Sequence, residues 1–102
     1  MKHDVFVYML QCADGSYYVG SYRGDRIEWR VNDHNNGLYP GAYTFFRRPV
    51  TLVWSECLTN AVDAVALERR LKGWSRAKKE ALIRGDGAGL KALSKRRGGA
   101  PN

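Results

Sequence analysis

Five side chains in this sequence are of types that can move protons, bind an anion or hold a cation: Tyr8, Tyr18, Arg30, His34 and Glu68. Tyr8 and Tyr18 sit in two apolar runs on either side of Asp14-Gly15, the pattern of a β-hairpin. A buried tyrosine contributes a large ring and still needs a partner for its hydroxyl, so the pair is either sheet filling or the floor of a site. Arg30 and His34 are four apart on a predicted helix and project from one side of it. A histidine there is more often a satisfied core residue than a catalyst, and an arginine is usually a snorkelling surface residue. Glu68 is the only acid between Asp63 and Glu80, in an otherwise basic helix. It can hold a divalent cation whose other positions go to water and phosphate oxygens, or form a helical ion pair with Lys72 at i+4.

The hairpin must put both phenols on one face, and loop length decides this. A two-residue loop of Asp14-Gly15 would set Tyr8 against Ser21 and turn Tyr18 to the opposite side. A three-residue loop, Ala13-Asp14-Gly15, pairs Tyr8 with Gly20 and Leu10 with Tyr18, and both phenols share a face because strand side chains alternate. That loop needs a residue at positive φ, and Gly15 occupies the position. The shared face is therefore expected.

Strands are predicted over 5–12 and 17–22, the first apolar on both parities as in a strand covered on both sides. Asp25 can cap a helix that runs to about Asn35, with Glu28 as its capping-box partner, and Ile27, Val31 and His34 form the inward stripe. Residues 35–48 read as a polar loop carrying Tyr39, Tyr43, Phe45, Phe46, Arg47 and Arg48. Such rings and guanidinium groups can stack on bases and pair with phosphates, or the rings can pin the loop to the core. A third, half-exposed or edge strand follows over 50–57. Thr59 or Asn60 caps a helix with Leu67, Leu71 and Trp74 inward. Ser75 restarts a helix with Ala77, Ala81 and Leu82 inward and Lys78 and Lys79 outward, and Leu90 and Leu93 extend one more turn or two.

Length and charge bound the rest. The chain has 102 residues, enough for a single core, and a single domain is expected over 1–94, with 95–102 a disordered basic tail. Lys plus Arg number 17 against 10 Asp plus Glu, a net +7, and the excess lies from Arg69 onward. Such a balance favours polyanions, nucleic acid ahead of a membrane surface, although a solvated basic surface has the same composition. No run approaches a membrane span, and the N-terminus lacks a signal-peptide pattern. Cys12 and Cys57 are read as reduced, buried strand residues without metal-ligand spacing, and the expected compartment is the cytoplasm.

Val7-Tyr8-Met9 followed by Tyr18-Val19-Gly20 resembles the paired tripeptides of the GIY-YIG nucleases, the superfamily that includes the N-terminal nuclease domain of a bacterial excision-repair enzyme and structure-specific endonucleases. The order that follows, Arg30 and His34 and then Glu68 within AVALERRLK and WSRAKKEALI, resembles the small single-domain branch and extends the likeness over about 5–84. The resemblance implies an α/β fold, a small three-stranded antiparallel sheet flanked by helices with residues 5–12 central. It implies an endonuclease that hydrolyses phosphodiester bonds of nucleic acid, DNA ahead of RNA, with one Mg²⁺ or Mn²⁺ on Glu68. Arg30 would clamp the phosphate and Tyr8 would activate or orient the water, with Tyr18 nearby. A metal ion and a guanidinium close to Tyr8 would favour its phenolate. His34 would accept or relay a proton, and Gly20 would admit the substrate backbone. Tyr43, Arg47, Arg48, Arg69, Lys72, Arg76, Lys78 and Lys79 are the expected nucleic-acid contacts. The sequence departs from the pattern at Phe6, where the name motif has its first glycine, and over 22–29, slightly longer than expected. No appended DNA-binding domain is evident, so activity is expected to be weak, unspecific or dependent on a protein partner for target choice. The alternatives are a binding module that keeps the scaffold without turnover, and an RNA- or ribosome-associated basic protein.

Overall fold

The computed structural model describes residues 4–99, and within its last helix the side chains up to Ser94. The first compact unit, Met1–Lys72, holds the sheet. Its strands are β1 (Val5–Gln11), β2 (Tyr17–Arg23) and β3 (Thr51–Leu58), antiparallel in the order β2-β1-β3. The central place of β1 explains its composition. Val5, Val7, Tyr8, Met9 and Leu10 are all buried, so both parities of the strand are covered.

The hairpin takes the three-residue loop. The amide of Gly15 donates to the Cys12 carbonyl at 2.9 Å, the Cys12 amide donates to the Ser16 carbonyl at 2.8 Å, and Gly15 has φ 86°. With the turn closed this way Tyr8 pairs with Gly20 and Leu10 with Tyr18. Asp14 reinforces the turn by accepting from the Ser16 amide and hydroxyl. Along β3 the register to β1 shifts between Met9 and Leu10, which pair with Trp54 and Leu52, so Val53 is the extra residue of a bulge.

Helix α1 (Ile27–Asn35) packs the Tyr8 face. Ile27 joins Tyr8, Leu10, Cys12 and Val50 in one core cluster, with Phe6, Tyr18, Tyr22, Val31 and Leu52 against it. The expected cap at Asp25 is not formed. The N-cap residue is Arg26, which makes no side-chain cap hydrogen bond, so Asp25 lies one residue too early to reach the orphan amides. Helix α2 (Ala61–Lys72) packs against all three strands and buries Ala64 and Leu71. Asn60 caps it by accepting from the amides of Val62 (2.7 Å) and Asp63 (3.3 Å).

The second compact unit, Gly73–Asn102, carries α3 (Arg76–Ile83) and α4 (Gly87–Gly99). Ser75 caps α3 by accepting from the Lys78 amide at 3.2 Å, and Asp86 accepts from the Gly89 amide in the first turn of α4. Helix α4 runs to Gly99, and residues 100–102 of the expected tail lie outside the described residues. Two expectations need correction. Ala77 is exposed and Lys78 buried: the Lys78 stem folds back so that its ammonium sits over the Trp74 ring, 4.5 Å from the centroid. Cys57 is exposed, whereas Cys12 is buried, and both are free. No helix among the described residues is long and apolar enough to cross a membrane.

Candidate active site

β1, β2, α1 and the loop before β3 bring the site together. The register puts Tyr8 and Tyr18 on one face of the hairpin, with ring centroids 6.2 Å apart. Gly20, directly opposite Tyr8, is the only residue that fits there: a Cβ would lie 2.7 Å from the Tyr8 hydroxyl and 2.9 Å from a Tyr18 ring carbon. The His34 ring enters from α1, 5.4 Å from Tyr18 and 6.1 Å from Tyr8. Its Nε2 is 3.0 Å from the Tyr8 hydroxyl and its Nδ1 is 2.8 Å from Thr44 Oγ1. Tyr8, His34 and Thr44 are 0%, 3% and 1% exposed, so the three form a buried polar chain.

Burial sets the protonation of this chain. It pushes the Tyr8 phenol well above the ordinary tyrosine range; the neighbouring Tyr18, Tyr39 and Glu68 push the same way, and Arg30 opposes them. Tyr8 is therefore a neutral phenol at physiological pH in the metal-free protein; Arg30 acts toward the phenolate, as expected of a guanidinium, but burial outweighs it. Burial lowers the His34 pKa below its usual 6.5, helped by the positive charge of Arg30 and opposed by Asp33. The resting pair is thus neutral phenol and neutral imidazole.

Arg30 lies on the same side of α1. Its guanidinium carbon is 5.0 Å from the Tyr22 ring centroid and 5.2 Å from that of Tyr39, and the Tyr39 hydroxyl donates to Asp33 at 3.2 Å. Two rings therefore bracket the group. The Nε of Arg30 is buried and has no hydrogen-bond partner among the described residues. A buried, unsatisfied donor is costly, and a bound anion would satisfy it.

Glu68 projects from α2, with one-fifth of its side chain exposed, and pairs with Lys72 at 3.0 Å. It is near enough to Tyr8 for its charge to act on the phenol. Glu68 thus forms the i+4 ion pair that the sequence offered, and it also lies within electrostatic reach of the buried phenol. Among the described residues no group of three or more His, Cys, Asp or Glu could enclose a metal. One carboxylate still fits Mg²⁺, which keeps several waters and takes its other ligands from substrate oxygens. The half-exposed Lys72 pair offers little resistance, since such pairs contribute about 0–1 kcal/mol.

The loop residues extend this surface. Tyr43 stacks on Tyr18 (6.3 Å, 15°), and Arg47 lies 3.7 Å over the Tyr43 ring, held by Asp14 at 3.1 Å. Arg48 lies over Phe45 and donates to the Phe45 carbonyl at 2.7 Å. Arg69, Arg70 and Lys72 are exposed on α2. In the second unit Arg76 pairs with Glu80 at 3.0 Å, Lys79 is half-buried, and the burial of Lys78 removes it from an exposed basic face. A groove along α2 lined by Ala61, Val62, Val65, Ala66 and Arg69 contains none of the five principal side chains. Sequence reasoning missed Thr44 and the Tyr22–Tyr39 bracket. Tyr22 shares the parity of Tyr18 and Gly20, a usable signal, but Thr44 lies in an aperiodic loop and gives none.

The β2-β1-β3 sheet and its flanking helices have a counterpart among known proteins. The GIY-YIG catalytic domain family matches residues 4–81, and the chain belongs to that family. It is similar to UPF0213 proteins of Bacillus pumilus (45% identical over 83 residues, 80% of this chain and 81% of the relative) and Halobacterium salinarum (47% over 78 residues, 76% and 96%). Two solution NMR structures share the fold. The UPF0213 protein BH0048 from Bacillus halodurans has a TM-score of 0.52 and 32% identity, covering 90% of this chain and 95% of that one. The protein EF2693 from E. faecalis has a TM-score of 0.55 and 30% identity, with coverage of 83% and 90%.

Proposed function

We propose that the chain is an endonuclease that hydrolyses phosphodiester bonds of nucleic acid, DNA ahead of RNA, using one Mg²⁺ or Mn²⁺. The observation that carries this reading is the Arg30 guanidinium, bracketed by two rings with a buried Nε–H unsatisfied, beside a phenol hydrogen-bonded to a neutral imidazole. A scissile phosphate supplies the acceptor that this donor lacks, and the planar guanidinium suits it. All five residues fall in the first compact unit, consistent with one catalytic module.

In this reading Arg30 binds the phosphate and stabilises charge that develops on its oxygens. Tyr8 orients the attacking water, and its hydroxyl proton passes to His34 Nε2 as the water gives a proton to the phenol oxygen. Tyr18 packs against both rings and keeps them in place. Glu68 would hold the divalent ion, which when bound supplies countercharge at the phosphate. Tyr43, Arg47, Arg48, Arg69, Arg70 and Lys72 offer stacking and phosphate contacts to the flanking strand. Target choice would come from a protein partner.

Incubation with labelled branched and linear DNA and RNA in Mg²⁺, Mn²⁺ or EDTA tests the proposal, alongside Glu68→Gln. Metal-dependent cutting by the wild type, lost in Glu68→Gln while binding persists, is the expected result. Salt-sensitive binding with no cutting of any substrate would replace it with a binding module that keeps the scaffold.

A further inference from the structure

We infer that Thr44 is a positioning residue that fixes the tautomer of His34, so that the Nε2 lone pair faces the Tyr8 hydroxyl. The inference deepens the nuclease reading and rests on it for its catalytic meaning. Its geometric content concerns the resting protein alone.

Two hydrogen-bond networks are compatible with the heavy atoms. In one, Tyr8 donates to Nε2 and Nδ1–H donates to Thr44 Oγ1. In the other both bonds are reversed. The distances, 3.0 Å and 2.8 Å, do not separate them, but the chemistry of the hydroxyls does. A phenol, with an ordinary pKa of about 10, is far more acidic than an aliphatic alcohol and is the better donor. Its oxygen lone pair is partly delocalised into the ring, whereas the threonine oxygen keeps its lone pairs and is the better acceptor. The first network gives each hydroxyl the task it performs better. It also prevents a fully buried phenol proton from being left without an acceptor.

The consequence for the reaction is a defined proton path. The Tyr8 O–H bond breaks, its proton forms a bond to Nε2, and the phenol oxygen takes a proton from the attacking water. The resulting imidazolium keeps its Nδ1–H on Thr44 and returns the Nε2 proton to solvent, from which the leaving oxygen is protonated. With the opposite tautomer Nε2 already carries hydrogen, and the transfer cannot occur. A group that orients a histidine in this way need not touch the substrate to control its base strength.

The test uses full-length protein and long-range ¹H–¹⁵N correlation of the imidazole rings above pH 7, with His34→Gln to assign the signals. The wild type is expected to show His34 with hydrogen on Nδ1 and a pyridine-type Nε2. Thr44→Val, nearly the same shape without an acceptor, is expected to release the tautomer. It should lower kcat by about 10- to 100-fold with KM little changed, and Thr44→Ser should restore both. A wild-type Nε2–H tautomer would overturn the inference, as would a Thr44→Val protein that is folded and keeps both its tautomer and its kcat. If the wild type shows the Nδ1–H form yet cuts nothing, the nuclease reading fails and the pinning by Thr44 stands.

Discussion

Replacing Gly20 by alanine tests the close approach on which the site is built. The added Cβ would stand 2.7 Å from the Tyr8 hydroxyl, where ordinary contact begins at 3.4 Å, so about 0.7 Å of movement is required. The terminal atoms of a tyrosine usually yield cheaply, but this ring is fully buried and its hydroxyl is held by His34 at 3.0 Å. Overpacking of this kind costs about 1–3 kcal/mol, and pulling the phenol from its partner about 1 kcal/mol more. Replacing a strand glycine returns about 0.5–1 kcal/mol through the unfolded chain. The net expectation is a loss of about 1–3 kcal/mol, read from urea midpoints at constant m-value, together with loss of nicking as the two phenols separate. Gly41→Ala is the control, because nothing lies within 4 Å of its added Cβ, and it should leave both measurements unchanged. A Gly20→Ala protein as stable and as active as Gly41→Ala would show that the phenols are not held as described.

Arg30→Lys retains the charge but loses the planar fork between Tyr22 and Tyr39, so cleavage should fall by about 10²-fold while filter-binding affinity changes little; equal cleavage rates would remove Arg30 from the phosphate. Glu68→Gln should abolish metal-dependent cutting and shift the urea midpoint by less than about 1 kcal/mol, since only a half-exposed ion pair is lost. The folded-state pKa of His34 is lowered from 6.5, so the unfolded chain binds this proton more readily. The contribution of His34 is therefore intact above about pH 6.5 and lost as pH falls through the lower folded value. Denaturation between about pH 7.5 and 5 should show acid destabilisation that His34→Gln reduces, and identical slopes would refute the assignment.

The parts of this structure legible in the sequence are those in which one local rule decides between two geometries. Gly15, at the only position of the turn that needs positive φ, selects the three-residue loop, and the shared face of Tyr8 and Tyr18 follows by alternation. Asn60 and Ser75 are readable as caps because each immediately precedes a run of helix formers. Asp25 carries the same signal and fails, because α1 begins after Arg26 and capping depends on a single-residue offset. Helical period points Lys78 outward, but a long stem can fold back over an aromatic ring four residues earlier. Residue type alone places Cys57 in the core, although an edge strand leaves one side uncovered. Thr44 cannot be found at all: its role depends on a 10-residue loop return to His34, for which no periodicity or spacing exists.

The turn at Gly15 also has a bearing on how this domain can vary. Most surface connections accept an added or missing residue, because their length is not read by anything else. Here the pairing that the turn closes is itself the chemical instruction, since a slip of one residue between the two strands would send Tyr18 to the wrong side while leaving every amino acid of the site in place. A relative could therefore keep all five candidate side chains and fail to bring them together, and a comparison by residue identity alone would not reveal it.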